Sequence, residues 1–123
     1  MTEKEPDAHG AALRRFLDPA YVPLADNLAL LRERIDAIDA QIVELLAERG
    51  RYVKDAARFK RDAFQVSAPQ RQQEVFDKVR RLAEEKGAYP EVVEAAYRAL
   101  VAGFIAREQR DHAEMVEIGE RQS

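Results

Sequence analysis

Apolar residues recur at Leu31, Ile35, Ile38, Ile42, Leu45, Tyr52 and Ala56. The steps are fours and threes with a single seven, the spacing of a heptad stripe along one helix face. No proline or turn cluster interrupts residues 26–61, and Gly50 is the one weak helix former among them. The pattern therefore predicts one helix over that span. At 1.5 Å per residue it would be roughly 50 Å long. A compact domain of this size cannot cover such a stripe alone. It needs a second copy of itself or a large partner.

Two shorter helices are predicted after it. Residues 63–68 (AFQVSA) read as a connector, and Pro69 sits where a first helical turn tolerates a missing N–H. A helix follows to about Lys86, with Val75, Val79 and Leu82 on one face and Gly87 as its stop. Pro90 opens the third helix, in which Val93, Tyr97, Leu100 and Phe104 share a face. It is expected to continue past Gln109 and fray toward Ser123. Before the long helix, residues 11–17 can form a short helix, which Pro19 and Pro23 then break. No strand alternation or repeat is present. The fold class is all-α, a three-helix chain with one long first helix. It divides into an N-terminal extension (1–25), a helical domain (26–110) and a partly helical tail (111–123).

Composition narrows the function. The 123 residues carry a net charge of −3, so no global basic field attracts nucleic acid. There are no cysteines, which removes disulfides, thiolate metal sites and cysteine nucleophiles. His9 and His112 lie near opposite ends of the chain and read as solvated surface residues, so no histidine metal cluster is expected. No phosphate-binding glycine loop, HExxH motif or EF-hand loop occurs. Neither metal nor cofactor is expected. The start, MTEKEPDAHG, lacks the basic and apolar runs of a signal peptide, and no stretch is long enough to span a membrane. A cytoplasmic protein is the expectation.

A few charges stand on faces that should be apolar. Arg49 occupies the heptad stripe, seven residues after Ile42. Lys60 follows eleven residues later, which on a continuous helix returns to within roughly 20° of the same direction. Arg32, seventeen residues before Arg49, points roughly 100° away and could not easily join the other two within one subunit, but an antiparallel copy of the helix could present it to them. Glu108 extends the apolar face of the third helix beyond Phe104, and Arg71 adds a cation near the connector. The plain alternative is that Arg49 snorkels to an edge and Lys60 faces solvent. Taken together, two or three cations and one acid on core-facing directions suggest a pocket for a small dianion.

These same residues carry a family resemblance. Residues 30–60 (LLRERIDAIDAQIVELLAERGRYVKDAARFK) resemble the first helix of the all-α chorismate mutases: an Arg just before Ile-Asp-x-Ile-Asp, then Leu-Leu-x-x-Arg, then an Arg-x-Lys ending. APQRQQEV (68–75) is similar to that family's connector and second-helix start, and FIAREQ (104–109) to its closing helix. The resemblance covers about residues 26–110. It implies a homodimer with intertwined first helices and two shared sites. Arg32 of one chain, with Arg49 and Lys60 of the other, would clamp the carboxylates of chorismate. Lys60 would also reach the ether oxygen of the bond that breaks. Arg71 matches the second-helix Arg. Gln72 stands where Glu usually holds the ring hydroxyl, Glu108 where members carry Gln or Glu, and Phe104 where some carry Ser.

The implied reaction is the pericyclic rearrangement of chorismate to prephenate, which requires no nucleophile, metal or cofactor. Salt-bridged carboxylates would hold the flexible arm over the ring. Lys60 and Glu108 would stabilise charge developing on the ether oxygen. An ionised carboxylate can only accept hydrogen bonds, so Glu108 is expected there as a protonated donor. Two alternatives stand beside the mutase. One is isochorismate pyruvate lyase, a relative of the same fold that RYVKDAARFK (51–60) also resembles. The other is a non-catalytic helical dimer.

Overall fold

A computed structural model of the chain describes residues 5–119. They form helix α1 (Leu28–Ala56), a 3-10 turn (Ala57–Phe59), a short helix α2 (Ala63–Ser67), α3 (Pro69–Lys86) and α4 (Pro90–Ala113). There is no strand among the described residues. The all-α expectation with a long first helix is met. The chain divides into two compact units, Met1–Ala47 and Glu48–Ser123, so α1 gives residues 28–47 to the first and 48–56 to the second.

In the first unit, Asn27 caps α1 by accepting the Leu30 N–H at 3.0 Å, which satisfies one of the helix's free donors. The preceding segment is tied on by the Ala29 N–H, which donates to the Ala8 carbonyl at 2.8 Å. The short helix expected at 11–17 does not form. Leu13 and Leu17 find no apolar partner and stay almost fully exposed. A single turn or two cannot hold itself in water without such packing. The stripe of α1 is also exposed in this unit among the described residues. Ile35, Ile38, Ile42 and Leu45 each keep about half their surface or more, and α1 has no buried residue.

In the second unit, α3 and α4 fold back on each other as a helical hairpin. Gly87, at φ +75°, takes the left-handed stop that a side chain disfavours, and Ala88 closes the turn onto the Ala83 carbonyl at 2.8 Å. Arg80 bridges to Glu94 and Arg98 lies over the Phe76 ring, pairings that run antiparallel along the two helices. The core is small: Ala57, Val66, Phe76, Val79, Ala83 and Val101. The buried face of α3 is thus rotated from the expected Val75–Val79–Leu82 line. Leu82 stays exposed, while Phe76 and Ala83 turn inward against α4.

The exit from α1 differs most from expectation. The α-helix stops at Ala56 instead of near residue 61, tightens through the 3-10 turn, and leaves Lys60 extended (φ −106°, ψ 135°). The expected connector coils into α2, because Asp62 caps it by accepting the Gln65 N–H at 3.0 Å. That bond is the main reason the Asp62 carboxyl is held below its usual range. Ala68 then takes a left-handed conformation (φ 45°, ψ 63°), ending α2 and starting α3 at one residue.

Glu94 makes the hairpin sensitive to acid. Its carboxylate accepts from Arg80 at 2.6 Å and from Arg98 at 2.8 Å, and these two bonds hold its pKa below the usual value. A depressed folded pKa adds stability that is present above the unfolded pKa and is lost as pH falls through the folded one. The Tm gap between wild type and E94Q is therefore expected to be constant near neutrality and to close as pH drops below the ordinary carboxylate range. A gap that is unchanged down to strongly acidic pH would contradict this.

Candidate active site

One cavity of about 330 Å³ in the second unit gathers most of the singled-out residues. Arg49, Lys60, Arg71, Gln72 and Glu108 all line it. Arg32 lies in the first unit, exposed on α1, and does not line this cavity. Val66, Val75, Val101 and Ile105 supply apolar wall. Few polar groups on an apolar lining is the usual make-up of a small-molecule pocket.

Lys60 arrives by a different route from the one its spacing implied. It is not on the α1 helical face. It sits beyond the 3-10 turn, and its ammonium donates to Glu108 Oε2 at 2.8 Å. Glu108 is only 4% exposed, so this ion pair is largely shielded from water. Glu108 Oε2 accepts from Lys60 in this arrangement. An ammonium carries three donors, so Lys60 can stay on Glu108 and still offer N–H groups to a ligand.

Arg49 is held from beneath by rings. Its guanidinium carbon stands 5.0 Å from the Phe104 ring centre and 5.9 Å from that of Tyr97, both on α4. Gly50 permits this approach: a Cβ there would meet Phe104 Cε1 at 3.1 Å. The Nη1 nitrogen of Arg49 is buried and has no hydrogen-bond partner among the described residues. Buried donors are almost always paired, so an exception at a cavity wall points to a functional role. The aromatic faces stabilise the cation without using its in-plane N–H groups. Those groups remain available to a planar oxyanion such as a carboxylate.

Gln72 and Arg71 lie on the first turn of α3. The Gln72 side-chain nitrogen donates to the Ser67 carbonyl at 2.7 Å. That bond fixes the amide's orientation, because a carbonyl can only accept. The amide oxygen is left as an acceptor among the described residues. Arg71 is exposed and only loosely paired with Glu74 at 3.6 Å, a cation on the cavity's rim.

Sequence reasoning missed His112. It is not a solvated surface residue: it is half-buried, and its Nε2 lies 2.6 Å from the Lys60 carbonyl oxygen. The available signal was its position four residues after Glu108, which puts both on one helix face. Tyr97 and Gly50 were visible only as a core residue and a weak helix former. Among the described residues no three His, Asp or Glu side chains are grouped to hold a metal ion. No helix there is long and apolar enough to cross a membrane.

Residues 31–109 match the family described as chorismate mutase type II. The chain is 38% identical over 82 residues to an isochorismate pyruvate lyase of Pseudomonas aeruginosa, covering 67% of this chain and 81% of that protein. It is 35% identical over 63 residues to a chorismate mutase of Methanocaldococcus jannaschii, covering 50% and 64%. It is also 33% identical over 89 residues to a bifunctional chorismate mutase/prephenate dehydratase of Aquifex aeolicus, covering 69% and 25%. The stripe, the charged positions and the cavity lie within the matched span, and the chain belongs to the chorismate mutase type II family.

Proposed function

We propose that the chain is a chorismate mutase that converts chorismate to prephenate, working as a homodimer with shared sites. The observation that carries this is the buried, unpartnered Arg49 Nη1 in a cavity that also holds Lys60. Chorismate is a dianion with a flexible enolpyruvyl arm. Arg49 binds one carboxylate, with Arg71 at the rim, and Arg32 of the second copy completes the clamp. Holding the arm over the ring supplies part of an orientation term that reaches about 7–11 kcal/mol in favourable systems. Lys60 donates to the ether oxygen as its bond to carbon breaks, and Glu108 keeps the ammonium in place. The new C–C bond forms in the same step, with no proton transferred. Prephenate from chorismate, identified by product analysis, supports the mutase.

A second reading, isochorismate pyruvate lyase, is favoured by the 38% identity to such a lyase. Its substrate is also a dianion with the same arm, and its products would be salicylate and pyruvate. In the mutase reading, the Gln72 amide oxygen accepts from the ring hydroxyl of chorismate. Gln72→Val is expected to lower kcat/KM for chorismate about fivefold to tenfold, the usual worth of one neutral hydrogen bond. It should lower binding of an analogue without that hydroxyl less. Equal losses on both would remove the assignment. Turnover of isochorismate alone would select the lyase, and turnover of neither would leave a non-catalytic helical dimer.

A further inference from the structure

We infer that His112 is a positioning residue for Lys60, holding its main chain while Glu108 holds its ammonium. The inference rests on the reaction proposed for this cavity and adds a residue that does not line it.

Lys60 is a weak point in the chain path. It follows the end of a helix, so its carbonyl has no place in a helical ladder, and the next two residues, Arg61 and Asp62, are exposed. Its N–H is tied to the Ala57 carbonyl at 3.1 Å. Among the described residues its carbonyl has one hydrogen-bond partner, His112 Nε2, at 2.6 Å. Because that oxygen can only accept, Nε2 must carry the hydrogen. The neutral Nε2–H tautomer and the imidazolium both satisfy this.

Glu108 and His112 are one turn apart on the same side of α4. Through them the helix grips Lys60 at both ends, its ammonium at 2.8 Å and its carbonyl at 2.6 Å. Neither grip suffices alone. Four rotatable bonds separate the Lys60 backbone from its ammonium, so an unanchored peptide would let the charge wander while still touching Glu108. A displacement of about 1 Å at a positioned group can cost about a hundredfold in rate.

The test uses the full-length chain with two substitutions. His112→Phe keeps a ring and removes the donor, while His112→Gln keeps a donor at similar reach. With chorismate, H112F is expected to lower kcat by about tenfold to a hundredfold, with a smaller change in KM, and H112Q to recover most of the loss. Circular dichroism checks that each variant is folded. Unchanged kcat in folded H112F, or an H112Q no better than H112F, overturns the inference. A second arm needs neither turnover nor a variant that folds. Long-range ¹H–¹⁵N spectra of the wild type should find the His112 hydrogen on Nε2, and a ring protonated only at Nδ1 overturns the inference. If the wild type turns over neither chorismate nor isochorismate, the proposed function fails, and the inference is judged on the Lys60 ammonium ¹⁵N signal. Loss of that signal in H112F with retention in H112Q supports it, and an unchanged signal in H112F overturns it.

Discussion

Arg49→Met is expected to cut kcat/KM for chorismate by about thirtyfold to several thousandfold while leaving the folded state about as stable as wild type. The activity loss follows from burial: removing one partner of a buried, hydrogen-bonded charge pair costs about 2–5 kcal/mol. The stability side is a balance of two opposed terms. Met keeps an unbranched stem of similar reach, so most of the packing of the Arg stem remains. The cation–π contacts to Phe104 and Tyr97 are lost, each worth about 0.5–2 kcal/mol. In return the variant no longer buries Nη1 without a partner, a cost of about 1–3 kcal/mol and more for a charged group. These nearly cancel, so Tm should stay within about 5 °C of wild type. Steady-state kinetics and thermal melts decide it. A variant that melts far lower would mean Arg49 is mainly a structural residue, and one that keeps its activity would remove it from the site.

That split between stability and activity explains why Arg49 was legible in the sequence. A guanidinium on an apolar heptad stripe breaks the pattern that folds the helix, and such breaks concentrate at functional positions. Glu108 was legible for the same reason, as a carboxyl extending the apolar face of α4. Pro69, Pro90 and Gly87 marked the α3 and α4 boundaries because each has a backbone requirement that few other residues share. The connector was not legible. Helix α2 has five residues, too few for periodicity, and it depends on the Asp62 cap and a left-handed Ala68. Lys60 was assigned to the cavity on a helical phase that the chain has already abandoned at Ala56. It reaches the cavity because the 3-10 turn and α4 bring it there. The rotation of the buried α3 face depended on which side α4 would cover, a tertiary choice that three apolar residues could not settle. His112 stayed hidden because its partner is a main-chain carbonyl 52 residues away, and no side-chain pattern encodes that contact.

Arg32→Ala and Arg49→Ala are each expected to be almost inactive alone, and a mixture of the two is expected to regain activity once subunits exchange. Arg32 stands exposed in the first unit, while Arg49 lines a cavity in the second. On an ideal helix residues seventeen apart point roughly 100° apart, which is why the proposed site draws Arg32 from a second copy. The part of α1 in the first unit has an apolar face for that copy. Ile35, Ile38, Ile42 and Leu45 leave about half their surface or more uncovered, and burying each remainder contributes about 1 kcal/mol or more. Symmetry fixes the arithmetic of recovery. In the proposed twofold dimer each site would take Arg49 from one subunit and Arg32 from the other. A heterodimer of the two variants therefore has one intact site and one lacking both arginines. Random exchange of an equal mixture makes about half the dimers mixed, so about a quarter of the sites should be whole. The measurement is kcat per total subunit after exchange, with mass spectrometry confirming the mixed dimer. Recovery near a quarter of wild type places Arg32 across the interface. Full exchange with no recovery would mean that both arginines serve the site of their own chain, and an Arg32→Ala variant active alone would mean that Arg32 serves neither. The dimer alone would not rescue that assignment, because a stripe can pair two helices without lending a side chain to either cavity.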